Sequence, residues 1–160
     1  MSKTIPLTQG KFAIVDDEDF INLAMNIWHY DCGYAARTTH ENGKKKTIRM
    51  HAVINKTPKG LHTDHINRNK LDNRKENLRT CSLSQNLRNR GKQSNNTSGY
   101  KGVCWHKRAN KWVVFIEVNK KQLYLGLHEN IIDAARTYNA AAKKHYGEFA
   151  KLNNIEVVNV

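Results

Sequence analysis

Short runs of alternating apolar and polar positions open the chain. Residues 4–7 and 11–15, separated by Gln9-Gly10, predict two short strands joined by a turn. Asp16 or Asp17 then offers a cap for a helix running to Met25, with Phe20, Leu23 and Ala24 on its apolar face. Residues 34–39 and 46–50 flank Asn42-Gly43 and predict a second hairpin. The stretch 91–99 holds no apolar residue and ends this half of the chain as a linker.

The pattern beyond residue 99 is cleaner. Trp112, Val114, Ile116 and Val118 alternate with Lys111, Val113, Phe115 and Glu117, the period of a strand with two distinct faces. Asn119-Lys120 offers a turn, and residues 122–125 return as a strand ending at Gly126. Asn130 or Asp133 opens a helix through Ala134, Ala135, Tyr138, Ala141, Ala142 and His145, stopped by Gly147. An alanine face lets that helix lie close on a sheet. The expected fold is α+β, with three antiparallel strands and one helix on a single sheet face in this half.

Charge narrows the range of partners. Lys plus Arg number 27 against 14 Asp plus Glu, a formal charge of +13, which favours a polyanion over other partners. The asymmetry is local as well. Between Ser84 and Lys121 nine Lys/Arg face a single acid, Glu117, and phosphate contact explains that better than solubility does. No apolar run of membrane length and no leader pattern stand in the sequence, so a soluble cytoplasmic protein is expected. Cys32, Cys81 and Cys104 are odd in number and form no C-x-x-C pair, which speaks against a disulfide framework or structural zinc.

Residues 99–153 are similar to the plant ethylene-response-factor (APETALA-type) DNA-binding domain. The matching residues are Tyr100-Lys101-Gly102-Val103, Lys111-Trp112, Leu125-Gly126, Ala134-Ala135-Arg136, Tyr138, Gly147 and Leu152-Asn153. The resemblance implies that the free sheet face lies in the DNA major groove. Lys101, His106, Arg108, Lys111, Lys120, Gln122 and Tyr124 would then face DNA, with Trp112 in the core. Cys104 and Gln122 stand where the plant domains carry arginine, so their base-reading pattern does not transfer.

The chemistry lies in residues 50–90: Met50-His51, Asp64-His65, Leu71-Asp72-Asn73-Arg74, Glu76-Asn77-Leu78-Arg79 and Ser84-Gln85-Asn86. Asp64 offers a hard oxygen, His65 a base near neutrality and Asn86 an amide oxygen. Ser82 or Ser84 can cap the helix that carries Asn86. Asn77 follows His65 by twelve residues and Asn86 follows it by twenty-one. In residue types and spacing this run resembles the HNH nucleases of the ββα-metal class found in phages and as homing enzymes. The resemblance implies that Asp64 and Asn86 hold one divalent cation, Mg²⁺ or Mn²⁺, against the scissile phosphate. It also implies that His65 deprotonates water and that Asn77 braces the intervening loop, with Asn73 a rival for that role. Arg68, Arg74, Arg79, Arg88 and Arg90 are expected to clamp the DNA backbone.

The organisation expected is therefore a nuclease domain over 1–90, a linker over 91–98, a DNA-binding domain over 99–154 and a tail over 155–160. It reads as a monomer that nicks double-stranded DNA and needs no protein partner. A DNA-binding regulator with a purely structural nuclease half is the alternative, and loss of two of Asp64, His65, Asn77 and Asn86 would have favoured it.

Overall fold

The computed structural model describes residues 1–155, so most of the expected tail lies outside the described residues. Two units form, Met1–Asn86 and Leu87 onward. The division falls ahead of the expected linker 91–98. Residues of that stretch bind the second unit: Asn96 Nδ2 donates to the Tyr100 carbonyl at 2.9 Å and Ser98 Oγ to that of Val103 at 2.7 Å. Polar composition marked a segment without an apolar core, but its side chains satisfy main-chain groups of its neighbours.

In the first unit β1 (Ser2–Pro6) and β2 (Phe12–Asp16) pair antiparallel, and α1 (Asp17–Ala24) follows at once. β3 (His29–Asp31), β4 (Tyr34–Glu41) and β5 (Lys44–Arg49) make a three-stranded antiparallel sheet. The β4–β5 hairpin is longer than expected because Asn42 and Gly43, both at positive φ, turn the chain in two residues. α2 (Met50–Ile54) continues from β5, with Met50 fully buried. β6 (His62–His65) pairs with β7 (Leu78–Cys81), and α3 (Leu83–Arg88) follows. Ile5, Val15, Leu23, Trp28, Met50, Ile54 and Leu78 meet in one core. Leu78 of β7 joins it, so the β6–β7 hairpin shares its base with the N-terminal hairpin.

In the second unit β8 (Val103–His106), β9 (Lys111–Val118) and β10 (Lys121–His128) form an antiparallel sheet in the order β10-β9-β8. β10 runs past Gly126, the expected end, through a register shift between Tyr124 and Gly126. α4 (Ile131–Tyr146) starts at Asn130, whose side chain accepts from the Ile132 N–H at 2.7 Å. Val103, Val114 and Ile116 pack against Ala134, Tyr138, Ala142 and Tyr146, with Trp112 on this same side. Among the described residues no helix is long and apolar enough to cross a membrane.

Gly102 shows how close that packing is. It sits at φ +75°, and a Cβ there would come 2.1 Å from Tyr138 Cδ2 and 2.7 Å from the Phe115 carbonyl oxygen. Neither can yield, one being a buried ring and the other backbone. Gly102→Ala should therefore destabilise this unit by about 3 kcal/mol, combining overpacking with a strained φ. Thermal melting of the full chain checks this, and a melting point equal to the parent's would contradict the packing.

Candidate active site and nucleic-acid surface

The register of one hairpin fixes the site. Across β6 and β7, Asp64 stands opposite Arg79 and His65 opposite Leu78, while α3 begins two residues after β7. Ser82, not Ser84, starts that helix. Its Oγ accepts from the Gln85 N–H at 3.2 Å and its own N–H donates to Gln85 Oε1 at 2.8 Å, a reciprocal capping box. Two strands and a capped helix thus carry Asp64, His65 and Asn86. Burial pushes the Cys81 thiol up, Asp64's charge adds to this, and an Asn86 main-chain hydrogen bond opposes it.

His65 is 5% exposed, and its Nε2 lies 3.3 Å from Asn73 Oδ1. Asn73 Nδ2 donates to the Leu71 carbonyl at 3.2 Å, which turns its oxygen towards the imidazole. With Nε2–H donating to that oxygen, Nδ1 is the basic nitrogen. Burial lowers the His65 pKa, against the hydrogen bond from Asn73 and the charges of Asp64 and Asp72, and with Lys70 acting in the same direction as burial. The ring is thus kept neutral, the form a base requires.

The loop between the strands is over-determined. Asn77 Oδ1 accepts from the Asn67 N–H at 2.9 Å, and Asn77 Nδ2 donates to the Asp72 carbonyl at 2.7 Å. Asn77 thus ties the two ends of the loop together, whereas Asn73 touches His65 itself. β2 completes the frame: the Ile14 N–H donates to the Leu71 carbonyl at 2.8 Å and its carbonyl accepts from the Asn73 N–H at 2.7 Å. Sequence reasoning missed this support, because the pairing joins residues far apart in the chain by main-chain atoms alone.

His51 and Tyr34 also stand beside His65. His51 meets His65 edge-on with ring centroids 5.0 Å apart, and Tyr34 lies 5.3 Å from His51 and 6.2 Å from His65. Burial, joined by the charges of His65 and Arg49, pushes the His51 pKa down to about 3. His51 is a neutral wall of the site at any physiological pH.

The arginines divide. Arg79 was expected on the DNA backbone, but its Nε and Nη2 donate to Asp64 Oδ2 at 2.9 and 2.8 Å, because a carboxylate this buried requires a cation across the ladder. Arg74 likewise turns inward, donating to both Asp72 oxygens at 2.8 Å and holding that carboxyl below the usual range. Arg68 is exposed, at a positive φ of 67°. Arg88 and Arg90 fall in the second unit, where Arg88 lies 5.0 Å over the Tyr146 ring and Arg90 is exposed.

In that unit, alternation from the core side places His106, Lys111, Phe115, Glu117, Gln122 and Tyr124 on the free sheet face. Tyr124 is 59% exposed and meets Phe115 at 5.8 Å. Arg108 and Lys120 occupy the turns flanking β9. Lys101 departs from the expectation: its ammonium donates to the Arg88 and Arg90 carbonyls at 2.8 and 2.6 Å, so it braces the segment ahead of the sheet. The free face is consequently mixed, with aromatic residues and one acid among its cations.

Residues 56–88, the stretch holding β6, the braced loop, β7 and α3, match the HNH endonuclease family. The chain is 32% identical over 94 residues to protein 3.8 of Escherichia phage T7, covering 59% of this chain and 77% of that one. The chain carries an HNH endonuclease domain. An uncharacterized HNH endonuclease of Acanthamoeba polyphaga mimivirus is 29% identical over 152 residues, spanning 92% of this chain and 78% of its own. No solved structure matches the chain. An HNH domain implies a metal-dependent nuclease acting on DNA. The donor set here fits a hard cation. Asp64 supplies carboxylate oxygen, and the Asn86 side-chain amide has no hydrogen-bond partner among the described residues. Among the described residues no group of three His, Cys, Asp or Glu is placed to hold a metal ion.

Proposed function

We propose that the first unit nicks double-stranded DNA, with His65 as general base, and that the second unit holds the DNA against its free sheet face. The observation that carries this is the neutral, buried His65 imidazole fixed at Nε2 by Asn73 beside the Asp64 carboxylate. His65 Nδ1 takes a proton from water, the water oxygen bonds to phosphorus, and the bond to the leaving 3′-oxygen breaks. Asn73 fixes the ring's tautomer and Asn77 fixes the loop's span. Asp64 and Asn86 would hold a Mg²⁺ or Mn²⁺ ion, which supplies charge neutralisation at the phosphate and the leaving oxygen when bound. In the second unit His106, Arg108, Lys111, Lys120, Gln122 and Tyr124 would meet the major groove and its phosphates. Of the five arginines expected to clamp the backbone, Arg68 and Arg90 are the exposed ones that would contact it.

Supercoiled plasmid incubated with Mg²⁺, Mn²⁺ or excess EDTA tests this reading. Nicked circles are expected with either metal and intact plasmid in EDTA. Undiminished nicking in EDTA would overturn the assignment of Asp64 and Asn86, and intact plasmid throughout would overturn the nuclease reading itself.

A further inference from the structure

Resting on the nuclease reading, we propose that Lys70 is a further catalytic residue of this site, gripping the reacting phosphate from a perch on Tyr34. Its Nζ stands 4.3 Å from the centroid of the Tyr34 ring, and that ring lies 6.2 Å from the proposed base, His65. A flexible lysine held over an aromatic face keeps its charge where the ring places it. The stem is fixed too. Gly33, at φ +94°, leaves the space for it, since a Cβ there would lie 3.2 Å from Lys70 Cδ.

Three neighbouring arginines are otherwise engaged. Arg49 also lies over Tyr34, at 4.7 Å, but pairs with Asp31 at 2.9 Å. Arg79 is paired with Asp64 and Arg74 with Asp72. Lys70 is exposed, and no carboxylate among the described residues pairs with it. Arg68 is likewise exposed and pairs with no carboxylate among the described residues, but Lys70 is the cation held over a ring of the site, with its ammonium open to a ligand. A phosphodiester at the base carries a negative charge that grows more concentrated as the attacking oxygen arrives. An ammonium fixed in advance is stabilising there without reorganisation.

The test is steady-state nicking by the full chain carrying Lys70→Met, Lys70→Ala or Lys70→Arg, with Lys3→Ala as control. Lys3, on β1, makes the same kind of contact, 5.0 Å over Phe20 of α1. Lys70→Met keeps the apolar stem over Gly33 and Tyr34, so the reading does not depend on the alanine variant's packing. Loss of kcat by about 10²-fold is expected for Lys70→Met and Lys70→Ala, with KM nearly unchanged and melting points within a few degrees of the parent. Lys70→Arg should recover most of the rate, and Lys3→Ala should nick at the parental rate. Tyr34→Leu should lose more rate than Tyr34→Phe, which keeps the ring. A parental kcat in Lys70→Met overturns the proposal while leaving the nuclease reading intact, as does a rise confined to KM, which places Lys70 on a flanking phosphate. A parent chain that nicks under no metal overturns both.

Discussion

His65→Ala is expected to nick DNA about 10² to 10⁴-fold more slowly than the parent while still retarding the same DNA at similar protein concentrations. The expectation follows from what the imidazole touches. Its Nε2 is taken up by Asn73, its ring by His51 and Tyr34, and the exposed cations of the loop that follows it, Arg68 and Lys70, stand outside it. Truncation removes the proton acceptor and leaves the charges that attract phosphate in place. It also opens space in a packed site, so the melting point should fall by several degrees.

That loss of packing is why rate alone does not decide the role. Added imidazole should restore part of the His65→Ala rate, because the vacated space lies where the ring was and a soluble base can enter it. A merely structural histidine would give no such rescue, and its loss would depress DNA binding and nicking together. A folded, DNA-bound His65→Ala chain that nicks at the parental rate would remove His65 from the mechanism.

Much of this was legible in the sequence because the determining signals are local. Alternation from Lys111 to Val118 and the alanine face of α4 set out the second unit, and Asn130 and Gly147 marked the helix ends. Asp64-His65, Asn77 and Asn86 were visible by spacing, since a hairpin and a short helix hold them within one contiguous stretch. The partners of charged groups were not legible. Lys101, Arg74 and Arg79 read as surface cations, and only the fold shows that each turns inward to a carbonyl or carboxylate. Tyr34 and His51 reached the site from β4 and α2, elements whose place beside β6 is decided by the core around Met50. Asn73 and Asn77 were rivals on paper because both lie in the loop. In the fold they divide the work, one on the base and one on the loop's ends.

Arg79→Ala should be the most destabilising change in the site, costing about 3–5 kcal/mol. Asp64 is 5% exposed and accepts from Arg79 Nε and Nη2 on one oxygen, so removing the arginine leaves a desolvated carboxylate without its cation. The pair is also a cross-strand contact between β6 and β7, so the loss falls on the hairpin that carries His65. Melting should be measured in EDTA, where no divalent cation can stand in for the missing charge. In that condition Asp64→Asn placed on top of Arg79→Ala should recover part of the lost stability, because it removes the charge that was left uncompensated. Recovery by the second change is the signature of a buried ion pair, since two unrelated packing losses would add. An Arg79→Ala chain that melts with the parent would show that Asp64 is solvated in the folded state. It would also return Arg79 to the set of arginines available to DNA.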